Sequence, residues 1–132
     1  MRFYIASGFE NKELVRKVST TLVKKGFTHT YDWTRNDRAD SFQKLHSIGE
    51  AEKEGVKTAD ILVALLPGGK GTHIEIGMAI GYYKSVYIYC ADPIEEPSLS
   101  CTFYHIDGVR LIHGPISELI EVIFRDFQEV IR

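Results

Sequence analysis

Ile61-Leu62-Val63-Ala64-Leu65-Leu66-Pro67-Gly68-Gly69-Lys70-Gly71-Thr72-His73-Ile74-Glu75-Ile76-Gly77-Met78-Ala79 joins an unbroken apolar run to a glycine-rich turn and then to a helical pattern. Six apolar residues bounded by Asp60 and Pro67 are the pattern of a strand covered on both faces, as in a parallel sheet. Gly68, Gly69 and Gly71 permit positive φ and close backbone approach. A helix from Thr72 would point unpaired N–H groups at whatever lies above it, which suits an anion or a hydroxyl group. Glu75 falls in the first turn of that helix, where the dipole favours its ionised form. Gly77 and Gly81, four residues apart, would let the helix approach the sheet. The spacing matches neither the GxxxxGK[ST] loop nor GxGxxG.

Outward from this stretch the chain alternates. Arg2 to Ala6 reads as a first strand ended by Ser7-Gly8. Leu14, Val18 and Leu22 recur at helical spacing behind Asn11, a capping residue type, and Gly26 stops the helix. Phe27 to Trp33 alternates aromatic and β-branched residues and fits a second strand, followed by a polar stretch, Thr34 to Asp40. The helix from Ser41 carries Phe42, Leu45, Ile48 and Val56 on one stripe, with Glu52 set into it, a carboxylate interrupting an apolar face. Val86 to Tyr89 is a fourth strand, Cys90 to Asp107 a long loop, and Val109 to Ile112 a fifth strand. Gly114-Pro115 opens a last helix with Ile116, Ile120, Ile123, Phe127 and Val130 on one face.

This alternation predicts a flavodoxin-like α/β fold: a doubly wound, mostly parallel five-stranded sheet with helices on both faces. Ligands in such sheets bind at the carboxyl ends of the strands. Ser7-Gly8, Asp32-Trp33, the glycine turn and the loop after Tyr89 fall on that edge. Asp60 falls on the opposite one and reads as a capping or solvated residue.

With 132 residues, 44% of them hydrophobic, the chain is expected to form one domain over residues 1–132. A formal charge of −2 and no long basic run exclude a nucleic-acid or membrane patch. No window approaches the ~20 apolar residues of a membrane span, so a cytoplasmic protein is expected. Cys90 and Cys101 lack CxxC spacing or a His pair, so reduced thiols and no metal site are expected. No cofactor is indicated.

Phe3-Tyr4-Ile5-Ala6-Ser7, Ala59-Asp60-Ile61-Leu62-Val63-Ala64 and Gly71-Thr72-His73-Ile74-Glu75-Ile76-Gly77-Met78-Ala79, in this order and spacing, resemble the nucleoside 2-deoxyribosyltransferase family, which also contains deoxynucleoside 5′-monophosphate N-glycosidases. The likeness covers the first strand through the fourth. It implies a retaining displacement at the anomeric carbon of a 2-deoxyribosyl group, the logic of retaining glycosidases. Glu75 matches the nucleophile, which attacks C1′ and forms a covalent glycosyl intermediate, and Tyr4 matches the tyrosine that orients it. Glu52 stands where the family carries an aspartate contacting base or sugar, and is assigned hydroxyl binding or proton transfer to the departing base. Ser7, Gly8, Phe9, Asp32, Trp33, Gly69, Gly71 and Thr72 are the expected substrate-binding set. The partner implied is a nucleoside or nucleotide, and homo-oligomers are the family's habit.

The chain departs from the family in two places. Transferases often carry an aspartate six residues before the nucleophile, where Gly69 stands. The first loop reads Ser7-Gly8-Phe9-Glu10, without the basic residue of the monophosphate glycosidases, and Glu10 would repel a 5′-phosphate that Lys12 and Lys70 would attract. A nucleotide-binding module without turnover is the alternative from another class. A flavin binder would need a Ser/Thr-rich phosphate cradle that this first loop lacks.

Overall fold

The computed structural model describes residues 1–131, with side chains through Gln128. Five strands form one all-parallel sheet in the order β2-β1-β3-β4-β5, with β1 at Arg2–Ser7, β2 at Thr28–His29, β3 at Ile61–Leu65, β4 at Ser85–Tyr89 and β5 at Val109–Ile112. This is the flavodoxin-like order, with its switch point between β1 and β3. The helices are α1 (Lys12–Lys24), α2 (Phe42–Thr58), α3 (Lys70–Gly81) and α4 (Ile116–Ile131). Helices α2 and α3 pack together on one face of the sheet, and α1 packs with α4 on the other.

Burial follows this layering. All five residues of β3 are buried, because β1 and β4 flank it and helices cover both its faces. Register pairs Tyr4 with Leu62 and Val63 with Tyr87, so the carboxyl ends of β1, β3 and β4 finish level with one another. Val15, Val18 and Leu22 of α1 and Leu119, Ile120 and Ile123 of α4 complete the far side of the core. Val130, the last member of the α4 stripe, lies outside the described side chains.

Several local expectations change. Strand β2 is two residues long, paired only through Thr28 and His29; after it the chain turns into a short 3-10 segment, Trp33–Arg35, capped by the Asp32 side chain. Asn11 holds the N-cap position of α1, but its side chain donates to Ser7 Oγ and the Pro67 carbonyl instead of capping. Gly77 and Gly81 lie on the outward face of α3, where an added Cβ would meet nothing, so they do not serve close packing on the sheet. The α2 stripe is buried only at its end: Val56 is in the core, whereas Phe42 is 89% exposed and Leu45 is exposed as well. Asp60 accepts from the Arg2 backbone N–H at 2.8 Å, a structural tie at the amino edge.

Candidate active site

The glycine turn is built differently from the expectation. Helix α3 starts at Lys70, with Gly69 as its N-cap, so Glu75 lies in the second turn and not the first. The positive-φ glycines of the described residues are Gly26, Gly108 and Gly114, and none belongs to the turn. Gly68 is required for a packing reason: the Thr72 side chain lies 2.5 Å from where its Cβ would be. Thr72 is itself buried. An added Cβ at Gly69 or Gly71 would meet nothing within 4 Å.

One turn further on, Glu75 points inward and is 7% exposed. The Tyr4 hydroxyl, buried in the middle of β1, donates a hydrogen bond to its Oε2. Desolvation pushes the Glu75 carboxyl up to about 8; the Tyr4 bond works against this, and the nearby Glu52 carboxylate adds to it. Burial outweighs the helix dipole here, which corrects the expectation of an ionised glutamate at a helix start. Tyr4 is driven far above its ordinary value by the same burial, then by Glu75 and Glu52, so it is a permanent donor.

Glu52 reaches the site from α2. It is half-buried, and no hydrogen bond or ion pair to it is found among the described residues. Burial raises its carboxyl. It lines a cavity of about 360 Å³ with Phe9, Trp33, Arg38, Leu45 and Ile48. Trp33 is mostly core: its indole N–H donates to the Ile5 carbonyl at 2.6 Å, leaving one surface as cavity wall. Phe9 stands at the mouth, its ring under Lys12 Nζ at 3.8 Å, with the Arg38 guanidinium 5.6 Å from its centre.

Other members of the expected binding set are held by the scaffold. The Ser7 hydroxyl donates to the Leu65 carbonyl at 2.6 Å and accepts from Asn11, clamping β1 to β3; its one proton is not free for a substrate. Asp32 accepts from the Thr34 N–H and hydroxyl and pairs with Arg35 at 3.3 Å. It therefore caps a turn and does not line the Glu52 cavity; it faces a larger groove of about 1090 Å³ beyond β2, which neither Glu75 nor Glu52 lines. Gly8 is covered by the Glu10 carboxylate, 2.5 Å from where a Cβ would lie.

Two residues were not singled out from the sequence. Tyr31 follows β2 and lies in the electrostatic reach of Tyr4, its hydroxyl accepting from Asn36 Nδ2 at 2.8 Å. Gly55 on α2 faces both tyrosines. His73, whose place in the sequence fits either a position beside Glu75 or the exposed side of the helix, is exposed and anchored. Its Nδ1 contacts the Gly69 carbonyl at 2.9 Å and its Nε2 the Tyr104 hydroxyl at 2.6 Å. A carbonyl only accepts, so Nδ1 carries the proton and Tyr104 donates to Nε2. The long loop is thereby tied to the start of α3. Only contacts across the fold reveal these roles. No cluster of three or more His, Cys, Asp or Glu able to hold a metal occurs among the described residues, and no described helix is long and apolar enough to cross a membrane.

Comparison with known proteins points the same way as the geometry. The family model described as nucleoside 2-deoxyribosyltransferase matches residues 3–110. A Clostridium botulinum CMP N-glycosidase structure superposes with a TM-score of 0.68 at 19% identity, covering 93% of this chain and 98% of that one. A 2-deoxyribosyltransferase from the psychrotolerant bacterium Bacillus psychrosaccharolyticus gives 0.63 at 22% identity, covering 92% and 90%. At these identities the structural likeness speaks for the fold. No curated protein sequence matches the chain.

Proposed function

Because the chain belongs to the nucleoside 2-deoxyribosyltransferase family, we propose that it breaks or exchanges the N-glycosidic bond of a 2-deoxynucleoside through a covalent intermediate on Glu75. The observation that carries this reading is the hydrogen bond from Tyr4 to Glu75 in a buried position beside the unpartnered Glu52 carboxylate. Tyr4 engages Oε2 and leaves Oε1 as the attacking atom. Oε1 forms a bond to C1′ as the C1′–N bond breaks, and the bonding pair leaves with the base. Glu52, protonated, gives its proton to that base. A second base or water then attacks C1′ from the face the first base left, returns a proton to Glu52 and releases the Glu75 carboxylate.

Roles divide by contact. A donor aimed at Glu75 favours its ionised form, the only form that attacks. No donor touches Glu52 among the described residues and burial raises its carboxyl, so it can carry the proton for the base in the fraction of molecules in which Glu75, itself raised to about 8, is ionised. Substrate would approach through the cavity between Phe9, Trp33 and Ile48, which Glu52 lines and whose lining does not include Tyr4 or Glu75.

A second reading, a deoxynucleoside 5′-monophosphate as substrate, is supported by Lys12 and Arg38 gathered around Phe9 at the cavity mouth. The Glu10 carboxylate over Gly8 opposes it. Homo-oligomers in a cytoplasmic setting belong to the same proposal: Phe42, Leu45 and Ile74 are exposed on the α2/α3 face, an apolar surface that a second copy would cover.

The test is incubation with deoxynucleosides, their 5′-monophosphates and free bases, following base release or exchange, with intact-mass detection of a glycosyl adduct on Glu75. No turnover, or a Glu75→Ala variant at the wild-type rate, overturns the catalytic reading. Nucleotide-induced thermal stabilisation without product, equal in wild type and Glu75→Gln, replaces it with a binding module.

A further inference from the structure

The catalytic carboxylates come from different elements, Glu75 from α3 and Glu52 from α2, and Tyr4 from the strand beneath them. Their relative positions depend on how deeply α2 sits against β1. Gly55 is buried in α2, one turn after Glu52. A Cβ built there would lie 3.0 and 3.1 Å from Cδ2 and Cε2 of Tyr4 and 2.9 Å from Cβ of Tyr31. The first two atoms belong to a wholly buried ring, and the third is fixed to backbone, so neither neighbour yields without a shift of the main chain. The Gly55 carbonyl also accepts from Thr30 Oγ1 at 2.8 Å, and the same hydroxyl meets the Phe3 carbonyl at 3.3 Å. The helix is thus seated between two tyrosines and stitched to the chain beyond β2 at one residue.

Gly49 supplies the contrast. It lies in the same helix with nothing within 4 Å of a Cβ. Glycine weakens a helix interior, and only at position 55 does packing require it.

We propose that Gly55 is a positioning residue for the reaction: the missing side chain lets α2 seat on the Tyr4 ring, and this seat sets both the Tyr4–Glu75 hydrogen bond and the depth of Glu52. The proposal rests on the catalytic reading above for its effect on rate, and on geometry alone for its effect on Glu75. Titratable groups facing Glu75 are Tyr4 from β1 and Glu52 from α2, with Tyr31 acting on Tyr4. Adding a methyl group at 55 displaces Tyr4 from Glu75 by a few tenths of an ångström and weakens the bond that favours the carboxylate.

The experiment compares Gly55→Ala with Gly49→Ala, each made in the wild type and in Tyr4→Phe. Two readouts are taken: kcat and KM for base release, and the titration of Glu75 from the pH dependence of urea unfolding relative to the matching Glu75→Gln variant. Gly55→Ala is expected to lower kcat about tenfold or more with little change in KM. It is expected to move the Glu75 midpoint up by about half a pH unit. In Tyr4→Phe the same substitution moves that midpoint by clearly less, because the hydroxyl is gone and only the influence of Glu52 remains. Gly49→Ala changes neither quantity. Should Gly55→Ala fail to fold, Thr30→Val, which removes the stitch to the Gly55 carbonyl, is expected to raise the midpoint more in the wild type than in Tyr4→Phe. An unchanged midpoint in the folded variant, or an equal rise without the Tyr4 hydroxyl, overturns the proposal. The unfolding readout needs no turnover, so an inactive protein would refute the catalytic reading and leave this one standing on its own measurement.

Discussion

Replacing Glu75 by Gln removes a carboxyl whose ionisation the folded state resists, and the size of that resistance can be worked from the site. The carboxyl moves from an ordinary 4.5 to about 8 on folding, with desolvation the leading cause. Between those values the folded chain binds one proton more than the unfolded chain, so wild-type stability falls as pH rises. The contribution is fully present below 4.5 and lost as pH passes 8. Each pH unit in that window is worth about 1.4 kcal/mol. From pH 5 to pH 9, wild type should therefore lose about 4 kcal/mol relative to Glu75→Gln. Gln keeps the shape and still accepts the Tyr4 proton, and the titrating groups that do not interact with Glu75 are common to both proteins and cancel. The assay is urea unfolding of both proteins at unit pH steps, backed by thermal melts, in which a gap of this size opens on the order of 10–20 °C. A gap constant within about 0.5 kcal/mol from pH 5 to pH 9 would show that Glu75 titrates like a solvated carboxylate, and the burial argument would fall.

Three further outcomes follow from the same contacts. Tyr4→Phe removes the donor to Glu75: base release should slow by about 10–100-fold, and its rise with pH, centred near 8 in wild type, should move to higher pH. Glu52→Gln should lower kcat by about 10²–10⁴ for ordinary bases and much less for a leaving group that departs without a proton; equal losses for both would remove the proton-transfer role. The double change Phe42→Ser, Leu45→Ser alters two exposed side chains of α2, so light scattering should show a smaller particle than wild type with little change in the far-UV spectrum.

How much of this was legible in the sequence depended on whether one residue's own signal decided the question. Strand β3 was readable because an apolar run between Asp60 and Pro67 has one stable use in a sheet covered on both faces. Strand β2 was over-read, since the alternation from Phe27 to Trp33 had another cause: Tyr31 faces the site region and Trp33 turns inward to the Ile5 carbonyl, and both leave the ladder. The α2 stripe was legible as a stripe but not as to what covers it, because an oligomer surface and a core carry the same apolar pattern. Ser7 and Asp32 sat at the correct edge of the sheet, yet the Ser7 partner, Leu65, comes near only when the strands are brought together, and Asp32 is taken up locally as the cap of the turn at Thr34. The state of Glu75 was misjudged because position near a helix start is a sequence property, whereas desolvation is a property of the assembled fold.

That misjudged state bears on how the site works. A carboxylate ionised in water gains little from a positive charge developing beside it, since solvent screens both. Glu75 is almost wholly withdrawn from water and has one donor, Tyr4. In such surroundings its attraction to an oxocarbenium-like C1′ is stronger than the same contact at a surface. In the proposed reaction the substrate's sugar would supply, in the transition state, a countercharge to Glu75, and an interaction stronger there than in the ground state is one that accelerates a reaction. The scaffold offsets the cost of keeping the carboxyl buried in the meantime, through a β3 with no exposed residue and the paired stripes of α1 and α4. The Glu75→Gln protein should therefore be inactive and should gain stability over wild type as pH rises from 5 to 9, and both properties trace to the same missing carboxylate.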